Sequence, residues 1–578
     1  MTAPNSIFRR FEKIAGQYPH NMALGYKISG RYHTLSYKKL LDKVNRCVTG
    51  LKKLGVGEGD KVAILSKNRP EWVQLDLALN KIGAISVPIH ITLSPKYLKY
   101  IIENSKVQYL AIGDYLSKYY EIKSEINLKK VITFPKIEWL EDFIYFADLL
   151  KEEPDKSESV LTDVCSIIYT SGTTGDPKGV MLTNQNFIQN IEASSKFVPI
   201  TAKDTFLSFL PLSHVLERTG GYYGALFFGA AIYYAGSYQT IAEDIKRVKP
   251  TIIITVPRLF EKFYDKVMDR VRAEKSKFKQ KIIYGSFKVS RVYLNARKEK
   301  SAFKPFLQLS HFLADKFILS KIRNYLGGHL KFAICGGATL NPSTAKFFES
   351  LGIKILEGYG LTETSPIVSV NPVNDYHFNT VGKIIPQVEV KIADDKEILV
   401  KGPNIMKGYY DNKKATKQSF TKDGWFKTED LGYVDEDGYL TIIGRKKEMI
   451  VLSTGKNVNP VDLENALQQS KFINQAMVFG DKQKHLSALI VPDFGELEIY
   501  AQKNNIDLEL SELICYQPIL DLIKSEIENQ LKEFPDNERI SKFVLLDKEF
   551  SEEREELTPT LKLRRERILE NYKIVISN

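Results

Sequence analysis

The chain has 578 residues, 43% hydrophobic and 26% charged, and its 82 Lys and Arg against 70 Asp and Glu give a formal charge of +12. That balance excludes wholesale disorder, a collagen-like fibre and a polytopic membrane protein. The length permits a core that needs no disulfide or metal staple. Cysteines at 47, 165, 335 and 515 form no CxxC pair, so reduced, cytosolic thiols are expected, with Cys335 buried in its apolar run. The opening MTAPNSIFRRFEKIAG lacks the apolar stretch of a signal peptide.

In chain order, GDKVAILSK (59–67) reads as a strand, Pro70 opens a helical stretch to about residue 82, and AISVPIH (84–90) reads as the next strand. Ser94–Pro95 opens another helix, which leads into VQYLAIG. Further β runs come at TIIITVP (251–257) and KFAICGG (331–337). Strands alternating with helices of this length predict α/β layers with largely parallel sheets. Residues 219–242 carry no charge and are long enough to span a bilayer, but five glycines favour a buried helix followed by a buried strand. Whether the aromatic side chains of 219–238 bound an acyl tunnel or pack an ordinary core is left open. Residues 271–325 hold 14 Lys and Arg against 3 Asp and Glu, at helix-like apolar spacing. They predict two or three amphipathic helices, either a solvated face or a patch for an anionic membrane; no motif accompanies the charge to suggest nucleic acid. After about residue 380 short strands and turns take over (ADDKE, DEDG), followed near 444 by a smaller unit of mixed helices and strands.

The sharpest local signal is TSGTTGDPKG, Thr170–Gly179, which follows the apolar run VCSIIY. Glycines 172, 175 and 179 let backbone approach a phosphate closely, Ser171, Thr173 and Thr174 supply hydroxyls, and Lys178 supplies charge. The Gly-Lys-Ser/Thr order of a Walker loop is absent.

With this loop the chain resembles the AMP-forming adenylating enzymes, over about residues 8–570. The resemblance implies their fold: a large multi-layered N-terminal α/β body with parallel sheets and a smaller β-subdomain, plus a small, mobile α+β C-terminal domain. We divide the chain at 1–443 and 444–578. It further implies that Thr170, Ser171, Gly172, Thr174 and Gly175 grip ATP phosphates, with Thr173 and Lys178 acting catalytically and Thr173 also touching Mg²⁺. GGA (Gly336, Gly337, Ala338) is similar to the segment lining the adenine pocket. YGLTET at 359–364 is similar to the nucleotide motif: Tyr359 stacks on adenine beside Gly360, Thr362 contacts the α-phosphate, and Glu363 holds Mg²⁺. GWFKTEDLG at 424–432 resembles the ribose segment, with Asp430 on the sugar hydroxyls and Glu429 where the family usually has glycine. GRKKEMIV resembles the interdomain hinge, giving Arg445 a nucleotide contact and Lys447 the pivot. LTPTLKLRRE resembles the C-terminal motif, in which Lys562 bridges the carboxylate and α-phosphate.

Within the family, PLSHVLER (211–218), GDPKGVMLTN and the 271–325 insertion are most similar to long-chain fatty acyl-CoA synthetases, which implies His214 as a catalytic residue near the acyl and pantetheine passages. The activity so implied is ATP + fatty acid + CoA → acyl-CoA + AMP + diphosphate, with Mg²⁺. Alternatives are a medium-chain or aryl CoA ligase, a fatty acyl-AMP ligase serving a carrier protein, and a membrane-associated scaffold. A cytoplasmic protein, peripheral on the inner membrane face, is expected; monomer or homodimer stays open.

Overall fold

The computed structural model describes residues 6–136, 143–170, 176–237, 239–298, 305–558 and 562–577. Two large sheets form the body. One has eight strands, with Ile85–Ile89, Lys61–Leu65, Tyr109–Ile112, Lys130–Thr133 and Ile144–Tyr145 parallel in that order. Val164–Thr170 joins them in parallel, and Lys178–Thr183 folds back antiparallel on it. The other sheet has nine strands, with Lys354–Gly360, Phe332–Cys335, Ile252–Thr255, Thr205–Ser208, Ala231–Tyr234 and Met22–Ile28 successive parallel neighbours. The expected parallel α/β layering is therefore present.

Between the sheets lies the helix Pro70–Ile82. Proline starts it, and Gly83, at φ 83°, ends it by donating its N–H to Leu79. All its residues but Glu71 are buried, because both sheets pack on it in one continuous core. A helix buried on every side must also settle its polar groups. Asp76 pairs with the fully buried Arg218, which also donates to Ser86 Oγ (2.6 Å) and Ser166 Oγ (2.7 Å). The Tyr222 and Tyr223 hydroxyls donate to the same carboxylate (3.2 and 2.6 Å). The network ties strands of the first sheet, through the helix, to the π-helical segment Glu217–Tyr223. The aromatic side chains Tyr222, Tyr223, Phe227 and Tyr234 are buried in that core. No helix among the described residues is long and apolar enough to cross a membrane. Cys335 is buried, and burial pushes its thiol up, as a packing residue requires.

The basic segment forms the helices Lys277–Lys298 and Pro305–Ala314, the latter continued by Asp315–Leu319 and Ser320–Arg323. The small β-subdomain is an antiparallel sheet of Glu389–Ile392, Glu397–Lys401, Phe426–Val434 and Leu440–Arg445. Beyond it, residues 450–576 have cores of their own around the sheet of Ile473–Phe479, Leu486–Pro492 and Ile540–Leu545.

The buried pair supplies a stability test. Arg218→Met leaves Asp76 uncompensated and should cost about 3–5 kcal/mol. The double variant with Asp76→Leu should recover much of it; urea melts of the three proteins measure this.

Candidate active site

The site forms where the two sheets, the β-subdomain and the C-terminal unit meet. Strand Lys354–Gly360 carries Tyr359 next to its last residue, and the Tyr359 hydroxyl donates to Asp430 Oδ2 at 2.6 Å. Asp430 is buried on strand Phe426–Val434, and its Oδ1 accepts from Arg445 Nε at 2.9 Å. Arg445 lies opposite it in the antiparallel ladder with Leu440–Arg445. Burial, reinforced by Asp430, pushes the Tyr359 hydroxyl far up, so the tyrosine remains a donor. Gly360 has no room for a side chain: a Cβ there would stand 1.7 Å from the Pro366 carbonyl oxygen.

A second cluster lies along the next turn of chain. Glu363 sits in the short helical turn Thr362–Thr364 and accepts from the Tyr409 hydroxyl at 2.8 Å. Lys178 Nζ stands 5.2 Å from the centre of the same Tyr409 ring. Tyr409 therefore joins the predicted carboxylate to the predicted lysine. Its strand, Gly408–Tyr409, pairs with Lys178–Thr183. Thr170 faces Lys178 across the hairpin, while Ser171, Gly172, Thr173, Thr174 and Gly175 lie outside the described residues. Gly336, Gly337 and Ala338 follow strand Phe332–Cys335; the Gly336 N–H donates to Thr255, and Gly337 adopts φ 86°.

Lys562 reaches this region from the far end of the chain. Its backbone pairs with Thr558, N–H to Oγ1 at 3.0 Å and carbonyl from the Thr558 N–H at 2.8 Å. The lysine is exposed to solvent, yet protein crowds its ammonium. Loss of hydration, then the Arg445 charge, pushes it down, and Asp430 and Glu448 pull it back up. The C-terminal unit also touches helix Pro95–Ser105, where Arg564 donates to the Tyr97 hydroxyl at 3.2 Å.

His214 follows Pro211 in a turn and accepts the Leu216 N–H at Nδ1 (3.3 Å). Desolvation, with Lys562 nearby, lowers it to about 4. His90, at the end of strand Ile85–Ile89, is likewise lowered to about 4, by desolvation, then His214 and Lys118. Its Nδ1 lies 2.8 Å from Thr92 Oγ1. His90 and Tyr409 belong to the site but stand in no motif singled out above; Glu448 stands in GRKKEMIV but was assigned no role there.

Lys447 pairs with Glu429 Oε1 at 2.9 Å. The carboxylate at the usual glycine position thus engages the lysine two residues past Arg445. As for a metal, no group of three or more His, Cys, Asp or Glu among the described residues could hold an ion alone. A single carboxylate, Glu363, suits Mg²⁺, which commonly takes one or two carboxylates and completes its shell with phosphate oxygens and water.

Both imidazoles stay neutral in the folded chain while unfolded histidines titrate near 6.5. Stability is therefore full above pH 6.5 and falls as pH drops towards 4, because the unfolded state takes up protons the folded state refuses. Thermal melts should show this loss between pH 6.5 and 4.5, and His90→Gln should lose less over that range.

Residues 11–410 match the family model described as AMP-binding enzyme, and 447–578 match that described as AMP-binding enzyme C-terminal domain. The chain is 33% identical over 565 residues to long-chain-fatty-acid–CoA ligase FadD15 of Mycobacterium bovis, covering 94% of this chain and 92% of that one. It is 29% identical over 612 residues to long-chain-fatty-acid–[acyl-carrier-protein] ligase AEE15 of Arabidopsis thaliana, covering 93% and 82%. Among solved structures it resembles the adenylation domain of a carboxylate reductase from Mycobacterium chelonae, with TM-score 0.81 and 22% identity over 100% of this chain and 91% of that one. At that identity the likeness is one of fold.

Proposed function

The chain belongs to the AMP-binding enzyme family, and from that premise we propose that it is a long-chain fatty acid–CoA ligase working through an acyl-adenylate. The observation that carries the reading is the convergence of Tyr359, Asp430, Arg445 and Lys562 in one place, with His214 beside Lys562. We draw the boundary between the nucleotide- and acyl-binding body and the lid at 443/444.

In the first step a fatty carboxylate oxygen attacks the α-phosphorus of ATP, and diphosphate leaves with the electron pair of the broken P–O bond. Asp430 accepts hydrogen bonds from the ribose diol, since a carboxylate offers acceptors to both hydroxyls. Tyr359 gives an aromatic face to adenine, beside Gly336, Gly337 and Ala338. Thr362 contacts the α-phosphate. Lys178, Arg445 and Lys562 set positive charge against the phosphates. Glu363, with Thr173, is the candidate holder of Mg²⁺, which when bound supplies further charge neutralisation. In the second step the CoA thiol, losing its proton, bonds through sulfur to the acyl carbonyl, and AMP departs. Lys447 is the pivot about which the lid exchanges faces, and neutral His214 borders the passage.

The acceptor distinguishes the main reading from its rival, which the AEE15 likeness favours. AMP release should be measured from acetate to oleate, with CoA, with a carrier protein and with neither. Turnover of long acids that requires CoA supports the ligase; turnover that requires the carrier protein replaces it. Lys562→Ala should slow adenylation by about 100-fold or more, the scale of losing a group aimed at transition-state charge. An unchanged rate of ATP–diphosphate exchange would refute the role.

The membrane reading gains a second support besides charge. Ten of the 21 exposed large apolar side chains among the described residues lie within 278–325, with Phe278 at 73% and Phe306 at 79% exposure. Between the two helices runs an apolar cleft of about 310 Å³ bordered by Ile282, Val289, Leu313 and Phe317. Basic residues interleaved with exposed aromatics suit the anionic interface of a bilayer. We infer a cytoplasmic enzyme that rests there on the inner membrane face. Binding to phosphatidylglycerol vesicles should fall at least tenfold in a Phe278→Ser/Phe306→Ser variant, and phosphatidylcholine vesicles should bind neither protein.

A further inference from the structure

Glu429 stands in the left-handed region, at φ 60°, which side chains other than glycine, asparagine and aspartate rarely adopt. The strain is held in place by the surrounding bonds. The Glu429 N–H donates to Glu397 Oε1 at 3.1 Å, and its carbonyl accepts the Lys446 N–H at 2.8 Å. Its side chain then meets Lys447. The crossing segment is basic at three successive positions, and each is matched by an acid of the body. Arg445 pairs with Asp430, Lys446 with Asp395 (2.5 Å) and Glu397 (3.2 Å), and Lys447 with Glu429.

These pairs differ in depth. Asp430 and Glu397 are buried, whereas the Lys447 and Glu429 side chains are 58% and 48% exposed. An exposed pair adds little to global stability, but it lies at the last body contact before the C-terminal unit. There a small energy acts directly on the balance between two orientations. We propose that Glu429 is a positioning residue for the reaction: a charged latch that, through Lys447, biases the C-terminal unit towards the orientation that brings Lys562 to Asp430. The inference rests on the reading of 444–451 as a hinge between body and lid.

Asparagine and aspartate both tolerate the left-handed backbone, so Glu429→Asn removes the charge without adding strain, and Glu429→Asp retains it. Single-turnover measurements of adenylate formation and of thioester formation from preformed adenylate give the ratio of the two half-reactions. Glu429→Asn should lower the adenylation-to-thioester ratio by about two- to five-fold, the scale of one exposed ion pair. Glu429→Asp should restore it, Lys447→Met should match the Asn variant, and the double variant should change nothing further. Limited proteolysis across 446–456 gives a readout independent of turnover: cleavage should quicken in Glu429→Asn and Lys447→Met but not in Glu429→Asp, at equal melting temperature. An unchanged ratio with unchanged cleavage, or equal effects of Asn and Asp, overturns the latch. Faster cleavage in a protein that activates no carboxylic acid keeps the latch and sinks the ligase reading.

Discussion

One buried carboxylate, Asp430, joins three parts of the molecule. Its β-subdomain strand presents it to Tyr359, at the end of a strand of the nine-stranded sheet, and to Arg445, on the last strand before the C-terminal unit. Its field also reaches Lys562, more than a hundred residues later. A carboxylate withdrawn from water needs donors or opposite charge around it. Here they come from chain segments remote in sequence, so meeting that need assembles the site. The proposed contact with a ribose diol places substrate in the same network and exchanges internal hydrogen bonds for external ones.

The body makes this convergence possible by being rigid beneath it. The helix Pro70–Ile82 is buried between both sheets, and the Asp76–Arg218 network fixes the segment that follows His214. Buried charge of this kind is weak evidence for stability, but it allows few alternative arrangements of the groups it joins. The clusters above it are more exposed and depend on pairs that can part. A stiff base under loosely tied charges fits chemistry in which one unit must change its orientation on the other.

Much of the fold and part of the site were legible in the sequence. Strand and helix periods along 59–113 and 251–337 predicted parallel layers, because buried parallel strands and the helices between them leave strong local patterns. Tyr359, Asp430 and Arg445 were legible because their chemistry is written in short strings, and the structure brings them together. Tyr409 and His90 were not, because each enters the site through tertiary neighbours and is an ordinary residue in its own segment. The antiparallel return of Lys178–Thr183 after the phosphate loop also went unread: KGVMLT is too short and mixed to announce a strand. Glu429 was visible only as a departure from a pattern. Its meaning needed a backbone angle and a partner, and a sequence displays neither.

The net charge of the chain divides between two tasks that composition alone merges. Most of the excess, 14 basic against 3 acidic residues, sits in 271–325 beside exposed aromatics, where a long-range field favours approach to an anionic surface. The crossing segment has only three basic residues, yet each is paired within hydrogen-bonding distance. Salt screens the first kind of interaction over about 8–10 Å, and screens buried or partly buried contacts much less. Rising ionic strength should therefore release the protein from a charged surface well before it loosens the inner pairs, Arg445–Asp430 and Lys446–Glu397. Lys446–Asp395 and Lys447–Glu429, the exposed members of the series, fall between the two. Lys446 also holds the buried Glu397, whereas Lys447 is tied to Glu429, an exposed acid, so the surroundings can adjust that pair while the inner pairs stay assembled.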